Sequence, residues 1–193
     1  MARTKDFDET EVLAKAIKLF WQKGYNGTSM QDLVDGLGIS RSSLYDTFGD
    51  KRQLYLKALQ SYQQQQTAGI TQLLNGSIPA KAAIRQLMDL TIQDMIRDKQ
   101  HKGCFLINSA VETASHDKEA NAIICQNEQQ LENTFYTAIK NGQANGELSA
   151  KKDPRALARF LYNTIVGIRV TGKSTTDKAA FDDIIQLTMS VLD

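Results

Sequence analysis

The segment GYNGTSMQDLVDGLGISRSSLYDTFGDK, from Gly24 to Lys51, predicts two short helices joined by a tight glycine turn and followed by the start of a third. The first helix has apolar residues at the i, i+3, i+4, i+7 spacing of one buried face: Met30, Leu33, Val34 and Leu37. Ser29 is placed to cap this helix at its N-terminus. Gly38 can adopt the positive φ with which such a helix commonly ends.

The second helix of this segment has a polar start and an apolar back. Ser40 is a second N-cap, residues 41–43 form a small, hydrogen-bonding first turn, and Leu44 and Phe48 follow behind them. This is the arrangement of a helix-turn-helix, whose second helix enters the major groove with its N-terminal residues against base edges. The segment therefore predicts DNA binding.

The same residues resemble the TetR family of bacterial transcriptional regulators. Its motifs Gly-Tyr/Phe-x-x-Thr-Ser/Thr and Leu-Tyr-x-x-Phe-x-x-Lys stand here at residues 24–29 and 44–51. One departure is the pair Asp46-Thr47, where the family commonly has an aromatic residue or histidine before the phenylalanine. The resemblance implies an all-α fold, with an N-terminal three-helix helix-turn-helix domain and a C-terminal helical ligand-binding and dimerisation domain.

Several residues of this segment are expected to contact DNA, some from the motif and some from the resemblance. A hydroxyl at a helix N-terminus suits a phosphate contact, although Thr28 equally suits a plain helix cap. The resemblance implies that the Tyr45 hydroxyl and the Lys51 ammonium contact phosphates. The alternative is that Tyr45 is a core aromatic residue and Lys51 a solvated surface charge. The predicted DNA-contacting set is Thr28, Ser29, Arg41, Ser42, Ser43, Tyr45, Thr47 and Lys51.

Composition agrees with a helical, non-secreted protein. The chain of 193 residues is 41% hydrophobic and contains only two prolines, Pro79 and Pro154. Charged residues interrupt every apolar run, and acids follow the N-terminus at once, so we expect neither a membrane span nor a signal peptide. We therefore expect a cytoplasmic protein whose two cysteines are reduced. The net charge of +1 predicts only modest non-specific affinity for DNA.

About nine helices are predicted. Their approximate ranges are 8–23, 29–36, 40–46, 50–74, 79–98, 104–114, 117–142, 154–171 and, after a cap at 175–177, a last helix to about 191. The domain boundary is expected inside the fourth helix, near residues 48–56, so that residues 1–50 form the DNA-binding domain and residues 51–193 the effector-binding and dimerisation domain.

The last two predicted helices are apolar over more than a narrow stripe, so that one face can serve the core and another a partner. The resemblance implies that two subunits pair these helices in a four-helix bundle. The residues expected at this homodimer interface are Phe160, Thr164, Ile165, Ile168, Phe181, Ile184, Ile185 and Thr188. A two-fold dimer would present two recognition helices to successive major grooves of a near-palindromic operator.

By resemblance, the fifth to eighth helices enclose a cavity for a small hydrophobic or electrophilic effector. The candidate lining residues, each of which also suits plain core, are Met88, Ile92, Cys104, Phe105, Asn108, Val111, Phe135 and Tyr162. Glu112 is the one acid among apolar neighbours there, facing either water or a pocket. His101 and His116 lack metal-ligand spacing, and no catalytic motif is present, so we expect no metal, cofactor or enzymatic activity.

Cys104 has two interpretations. It is either a small buried hydrophobe or a thiolate favoured by a helix N-terminus and Lys102, whereas Cys125 is expected to be inert. The sequence as a whole predicts a ligand-responsive, dimeric transcriptional regulator that acts as a repressor. The alternative is a regulator of the same fold controlled by a protein partner or by cysteine modification. A helical enzyme is the third class considered.

Overall fold

The computed structural model describes residues 7–193, and every regular element among them is an α-helix. The helices are α1 (Glu9–Lys23), α2 (Met30–Leu37), α3 (Arg41–Phe48), α4 (Lys51–Leu74), α5 (Ala80–Arg97), α6 (Phe105–Glu112), α7 (Lys118–Ala144), α8 (Pro154–Thr171) and α9 (Lys178–Ser190). The predicted all-α fold is confirmed, and the helices end within a few residues of their predicted bounds. Over the described residues, no helix is both long enough and apolar enough to cross a membrane.

Local signals account for where several helices begin. Asp8, Ser29, Ser40, Asp153 and Asp177 each accept a hydrogen bond from a backbone N–H group in the first turn that follows. Such bonds satisfy donors that have no partner within the helix. The caps fix the start of five helices without help from distant residues.

The described chain divides into two compact units. Residues 7–64 and 105–124 form one, called here the N-terminal unit, and residues 65–104 and 125–193 form the other, the C-terminal unit. This division differs from the predicted boundary near residue 50, because the first half of α4 and all of α6 pack within the N-terminal unit. The chain passes from one unit to the other within α4, between Cys104 and Phe105, and within α7.

Aromatic side chains form much of the core of the N-terminal unit. Tyr55 packs edge-on against Phe20 and Phe105, with ring centroids 5.3 and 5.9 Å apart. Tyr62 packs edge-on against Phe105 at 5.6 Å and against Trp21 at 5.1 Å. Edge-to-face pairs of this kind are favoured by the ring quadrupoles. Phe105, from the middle of the chain, thus lies at the centre of the unit that contains the helix-turn-helix.

The C-terminal unit has a separate apolar core. Buried faces of α5, α7, α8 and α9 meet there, and the fully or almost fully buried side chains include Ile84, Met88, Phe135, Leu161 and Phe181. Within this unit α5 packs against both α8 and α9. Burying these large side chains supplies the main stabilising free energy of the unit.

Candidate functional site

The turn between α2 and α3 exposes the start of α3. Gly38 ends α2 with φ 70° and ψ 28°, a left-handed conformation that favours glycine. Leu44 and Phe48 are 0% and 4% exposed, which fixes the buried side of α3. Arg41 and Ser42 are exposed on the first turn, as is Tyr45 one turn later. The helix therefore presents a guanidinium, a hydroxyl and a phenol to solvent.

The serines at the start of α3 form a hydrogen-bonded group. The Ser40 Oγ atom accepts from the Ser43 N–H group at 3.1 Å, and it lies 2.9 Å from the hydroxyls of both Ser42 and Ser43. Ser43 is half-buried, as is Thr47 one turn further along. Ser43 and Thr47 thus lie closer to the core than the exposed Arg41 and Ser42.

Thr28 is used inside the protein. Its side chain is completely buried, and its hydroxyl donates to the Gly24 carbonyl at 2.6 Å. The predicted contact of this hydroxyl with a phosphate is therefore corrected: Thr28 closes the turn between α1 and α2. Ser29, the next residue, is exposed and caps α2.

The cap of α2 is reciprocal. The Ser29 Oγ atom accepts from the Asp32 N–H group at 3.0 Å, and the Asp32 carboxylate accepts from the Ser29 N–H group at 2.8 Å. Lys23 donates to the same carboxylate at 2.5 Å. The hydrogen bond from Lys23, followed by those from Ser29, holds the pKa of Asp32 well below its usual range. The entry to α2 is thus fixed by a carboxylate that stays ionised.

Lys51 lies over an aromatic ring at the start of α4. Its Nζ atom is 4.4 Å from the centroid of Tyr25, within cation–π range. Burial, with help from the nearby charge of Asp50, raises the pKa of the Tyr25 phenol, which therefore stays neutral. Lys51 is half-buried rather than fully solvated. The Tyr25 ring thus sets the position of the ammonium.

Two acids hold the helix-turn-helix from a distant segment; the sequence singled out Glu112 without this role and gave no indication of Asp117. The half-buried Glu112 carboxylate accepts from the N–H groups of Tyr25 and Asn26, so it binds backbone of its own unit. Asp117 accepts two hydrogen bonds from Arg52, which hold the pKa of the Asp117 carboxyl below its usual range. No local pattern around residues 112 and 117 indicates these partners, because they lie more than 60 positions away in the chain.

The residues predicted to line an effector cavity do not form one set. Met88, Ile92 and Phe135 belong to the core of the C-terminal unit. Cys104 lies in the same unit and is 7% exposed. Tyr162 packs against this core, and burial, followed by the charge of Glu128, raises its pKa to about 12.

The remaining three candidates lie on α6, in the N-terminal unit. Phe105 is in the aromatic core, Asn108 is half-buried, and Val111 is 84% exposed. The prediction for Val111 is therefore wrong: α6 turns Phe105, Leu106 and Ser109 inwards, which leaves Val111 in solvent. A cavity of about 350 Å³ in the C-terminal unit, at residues 74–80 and 137–147, is lined by none of the predicted residues.

Most of the predicted dimer residues belong to the core of the single chain. Between 0% and 7% exposed are Ile165, Ile168, Phe181, Ile185 and Thr188. These five are corrected to core residues, because the face of each helix that they occupy is covered by α5 and by the other helix of the pair. Phe160 is exposed, and Thr164 and Ile184 are half-buried, so these three remain available to a partner.

The geometry defines a class of protein: an all-helical chain with a helix-turn-helix in its N-terminal unit and a separate helical core in its C-terminal unit. The family described as bacterial regulatory proteins, tetR family, matches residues 12–58. The family described as tetracyclin repressor-like, C-terminal domain, matches residues 80–188.

Individual relatives agree with this class. The chain is 38% identical to an uncharacterized HTH-type transcriptional regulator, YezE of Bacillus subtilis, over the full length of both chains. It is 30% identical to the HTH-type transcriptional repressor ComR of Escherichia coli, over 98% of this chain and 90% of that one. The chain belongs to the TetR family of bacterial transcriptional regulators, and it is a DNA-binding regulator of transcription.

Solved structures show the same fold. A cysteine mutant of the TetR family transcriptional regulator CifR, complexed with 26-base-pair operator DNA, superposes with a TM-score of 0.87 at 23% identity, covering the whole of both chains. The reduced form of Escherichia coli NemR also gives 0.87, at 17% identity, over 95% of this chain and 96% of that one. At these identities the likeness shows the fold alone.

Proposed function

We propose that this protein is a dimeric repressor that binds a near-palindromic operator through α3 and leaves it when a small hydrophobic or electrophilic molecule binds the C-terminal unit. The observation that carries the DNA-binding part is the exposed start of α3, with Arg41, Ser42 and Tyr45 in solvent on a helix whose other side is fixed in the core. Two relatives support the proposal, because ComR is named a repressor and CifR is complexed with operator DNA. We place the protein in the cytoplasm, where such DNA lies.

Footprinting tests this proposal. A duplex selected by the protein from a random-sequence library should show two protected half-sites about one helical turn apart, which is the spacing that a two-fold dimer imposes. Arg41→Ala should change the preferred bases, because a bidentate arginine–guanine pair is worth about 1–3 kcal/mol of discrimination. A single protected half-site, or none, would contradict the proposal.

Contacts with phosphates should affect all DNA sequences alike. Tyr45→Phe and Lys51→Ala are each expected to weaken binding to the selected operator and to random DNA by similar factors, because phosphates carry no sequence information. Lys51→Ala should also reduce the slope of log Kd against log salt concentration by about one unit. Fluorescence anisotropy over a salt series measures both effects. If both variants bind as tightly as the wild type at low salt, these residues do not contact DNA.

Two apolar stripes of the C-terminal unit support the dimer. On α8, Phe160 is exposed, with Thr164 and Gly167 four and seven positions later; on α9, Ile184 and the 69% exposed Leu187 are three apart. Both spacings keep each set on one face of its helix. A Cβ atom added at Gly167 would meet nothing within 4 Å, so another helix can approach closely there. We infer that these faces of α8 and α9 pair with their copies in the partner subunit.

The effector part of the proposal rests on the apolar character of the C-terminal unit, and a thermal-shift screen tests it. A ligand that binds only the folded state raises the unfolding midpoint. At a concentration of 100 times its Kd, it adds about 2.7 kcal/mol to the free energy of unfolding. A molecule that raises the midpoint and also releases the selected operator supports the proposal. Release only by a protein partner or by a thiol reagent would favour the alternative.

Burial distinguishes the two cysteines. Cys104 is buried, which agrees with its interpretation as a small buried hydrophobe, whereas Cys125, which the sequence predicts to be inert, is exposed. With a polar disulfide reagent, Cys125 is expected to react first and Cys104 much more slowly, because a buried thiol is inaccessible to the reagent. Titration of Cys104→Ser and Cys125→Ser variants assigns each phase. Faster reaction of Cys104, accompanied by release of DNA, would instead support control by modification of this cysteine.

A further inference from the structure

The turn between α1 and α2 is held by two sets of hydrogen bonds, one within the turn and one to the carboxylate of Glu112. The Thr28 hydroxyl bonds the Gly24 carbonyl, and the Thr28 N–H group donates to the Tyr25 carbonyl at 3.3 Å. The N–H groups of Tyr25 and Asn26 point instead to Glu112, at 2.9 Å from its Oε2 atom and 2.7 Å from its Oε1 atom. Each carboxylate oxygen thus accepts one backbone donor, and hydrogen bonds to an ionised acceptor are the stronger kind.

The backbone at Gly24 is shaped around this carboxylate. Gly24 has φ 76°, a conformation that side chains other than glycine rarely adopt. A Cβ atom placed there would lie 2.8 Å from the Glu112 Oε2 atom. The positive φ is the reason that the turn needs glycine, and the Glu112 carboxylate packs closely against it.

A second acidic contact comes from the same short segment. Arg52, in the first turn of α4, donates from Nε and Nη2 to Asp117 at 2.7 and 2.9 Å and from Nη2 to Glu119 at 2.9 Å. Acids at positions 112–119 therefore hold both the turn that leads into α2 and the start of α4. Lys51 and Ser29, both predicted to contact DNA, stand next to these two points.

We propose that Glu112 is a positioning residue for DNA binding. Its carboxylate fixes the Tyr25–Asn26 backbone, and through it the Tyr25 ring that lies under Lys51 and the entry to the N-cap of α2. Glu112 lies within the match to the C-terminal family, yet it acts on the helix-turn-helix. The inference rests on the DNA-binding surface proposed above.

The sign of the effect separates positioning from charge. Removing an acid from a DNA-binding protein by itself strengthens its attraction to phosphates. Glu112→Gln should do the opposite, because an amide can accept only one of the two N–H groups and its own NH₂ group faces the other. Glu128→Gln, at an exposed position of α7, is the matched control for the loss of one negative charge.

The experiment measures the Kd of each variant for a duplex selected from a random-sequence library by the wild-type protein, under conditions where circular dichroism shows every variant folded. Glu112→Gln is expected to weaken operator binding about tenfold, the size expected for losing a bond to a charged acceptor. Glu128→Gln should bind as tightly as the wild type or slightly more tightly. Glu112→Asp keeps the charge but is one methylene shorter, so it should lose affinity severalfold.

A purely structural role predicts a different set of results. It would lower the unfolding midpoint of Glu112→Gln and leave both the Kd of the folded protein and its salt slope unchanged. The positioning role predicts a slope smaller by about one unit, as one phosphate contact is lost, and faster amide exchange at Tyr25 and Asn26. If Glu112→Gln and Glu112→Asp bind like Glu128→Gln, the inference is overturned while operator binding stands. If the wild type selects no duplex, the proposed function itself fails, and this inference fails with it.

Discussion

Leu187→Arg is expected to convert the protein into a folded monomer that no longer binds its operator tightly. Leu187 is 69% exposed on α9, so an arginine there meets water in the single chain and costs little stability. In the proposed dimer the same charge would be buried without a partner, which costs several kcal/mol. Loss of the second half-site should then weaken operator binding by at least about a hundredfold. Sedimentation velocity and anisotropy with the selected duplex measure the two effects.

Ile185→Arg is the matched control, two positions away on the same helix. Ile185 is 1% exposed and belongs to the core of the C-terminal unit. A charge there should unfold the chain, because its cost is comparable with the whole stability of about 5–15 kcal/mol. A Leu187→Arg variant that remains dimeric would show that this face of α9 is not the interface. A folded Ile185→Arg variant would show that the two faces have been exchanged.

Phe105→Ala is expected to destabilise the N-terminal unit by about 3–5 kcal/mol, the usual cost of removing a buried phenylalanine side chain. Phe105 is 1% exposed and packs against Tyr55 and Tyr62. Trp21, the single tryptophan, packs against Tyr62, so its fluorescence reports on this core. The midpoint of urea unfolding followed by that fluorescence should therefore fall sharply.

Val111→Ala is the control on the same helix. Val111 is 84% exposed, so the change should alter stability by no more than about 0.5 kcal/mol. Equal and small effects of the two substitutions would contradict the placement of Phe105 in the aromatic core. If both substitutions instead weaken effector binding equally and leave stability unchanged, Phe105 and Val111 line the effector cavity, as the sequence predicts.

The helix-turn-helix could be predicted almost completely from the sequence, because its signals are local. The i, i+3, i+4 spacing of apolar residues in α2, the caps at Ser29 and Ser40 and the glycine at position 38 all act within a few residues. Each signal is written in consecutive positions and needs no distant partner. The exposure of Arg41 and Ser42 follows directly, since the opposite face of α3 carries the buried Leu44 and Phe48.

The long helices of the C-terminal unit were predictable as helices but not in their orientation. The apolar positions of α8 and α9 cover more than one face, so periodicity alone could not distinguish the face on the core from the face in solvent. Packing against α5 buries Ile165 and Ile185 and leaves Phe160 and Leu187 exposed. Five predicted interface residues were core residues for this reason.

The sequence by itself determined the helices, their caps, the helix-turn-helix and the family, since all of these depend on residues close together in the chain. Only the tertiary structure decided that α6 belongs with the helix-turn-helix, that Thr28 points inwards and that Glu112 accepts the N–H groups of Tyr25 and Asn26. The contact between Asn26 and Glu112 joins residues 86 positions apart. Such a contact forms only when chain folding brings two segments together, and neither segment has a local sequence pattern that identifies its partner.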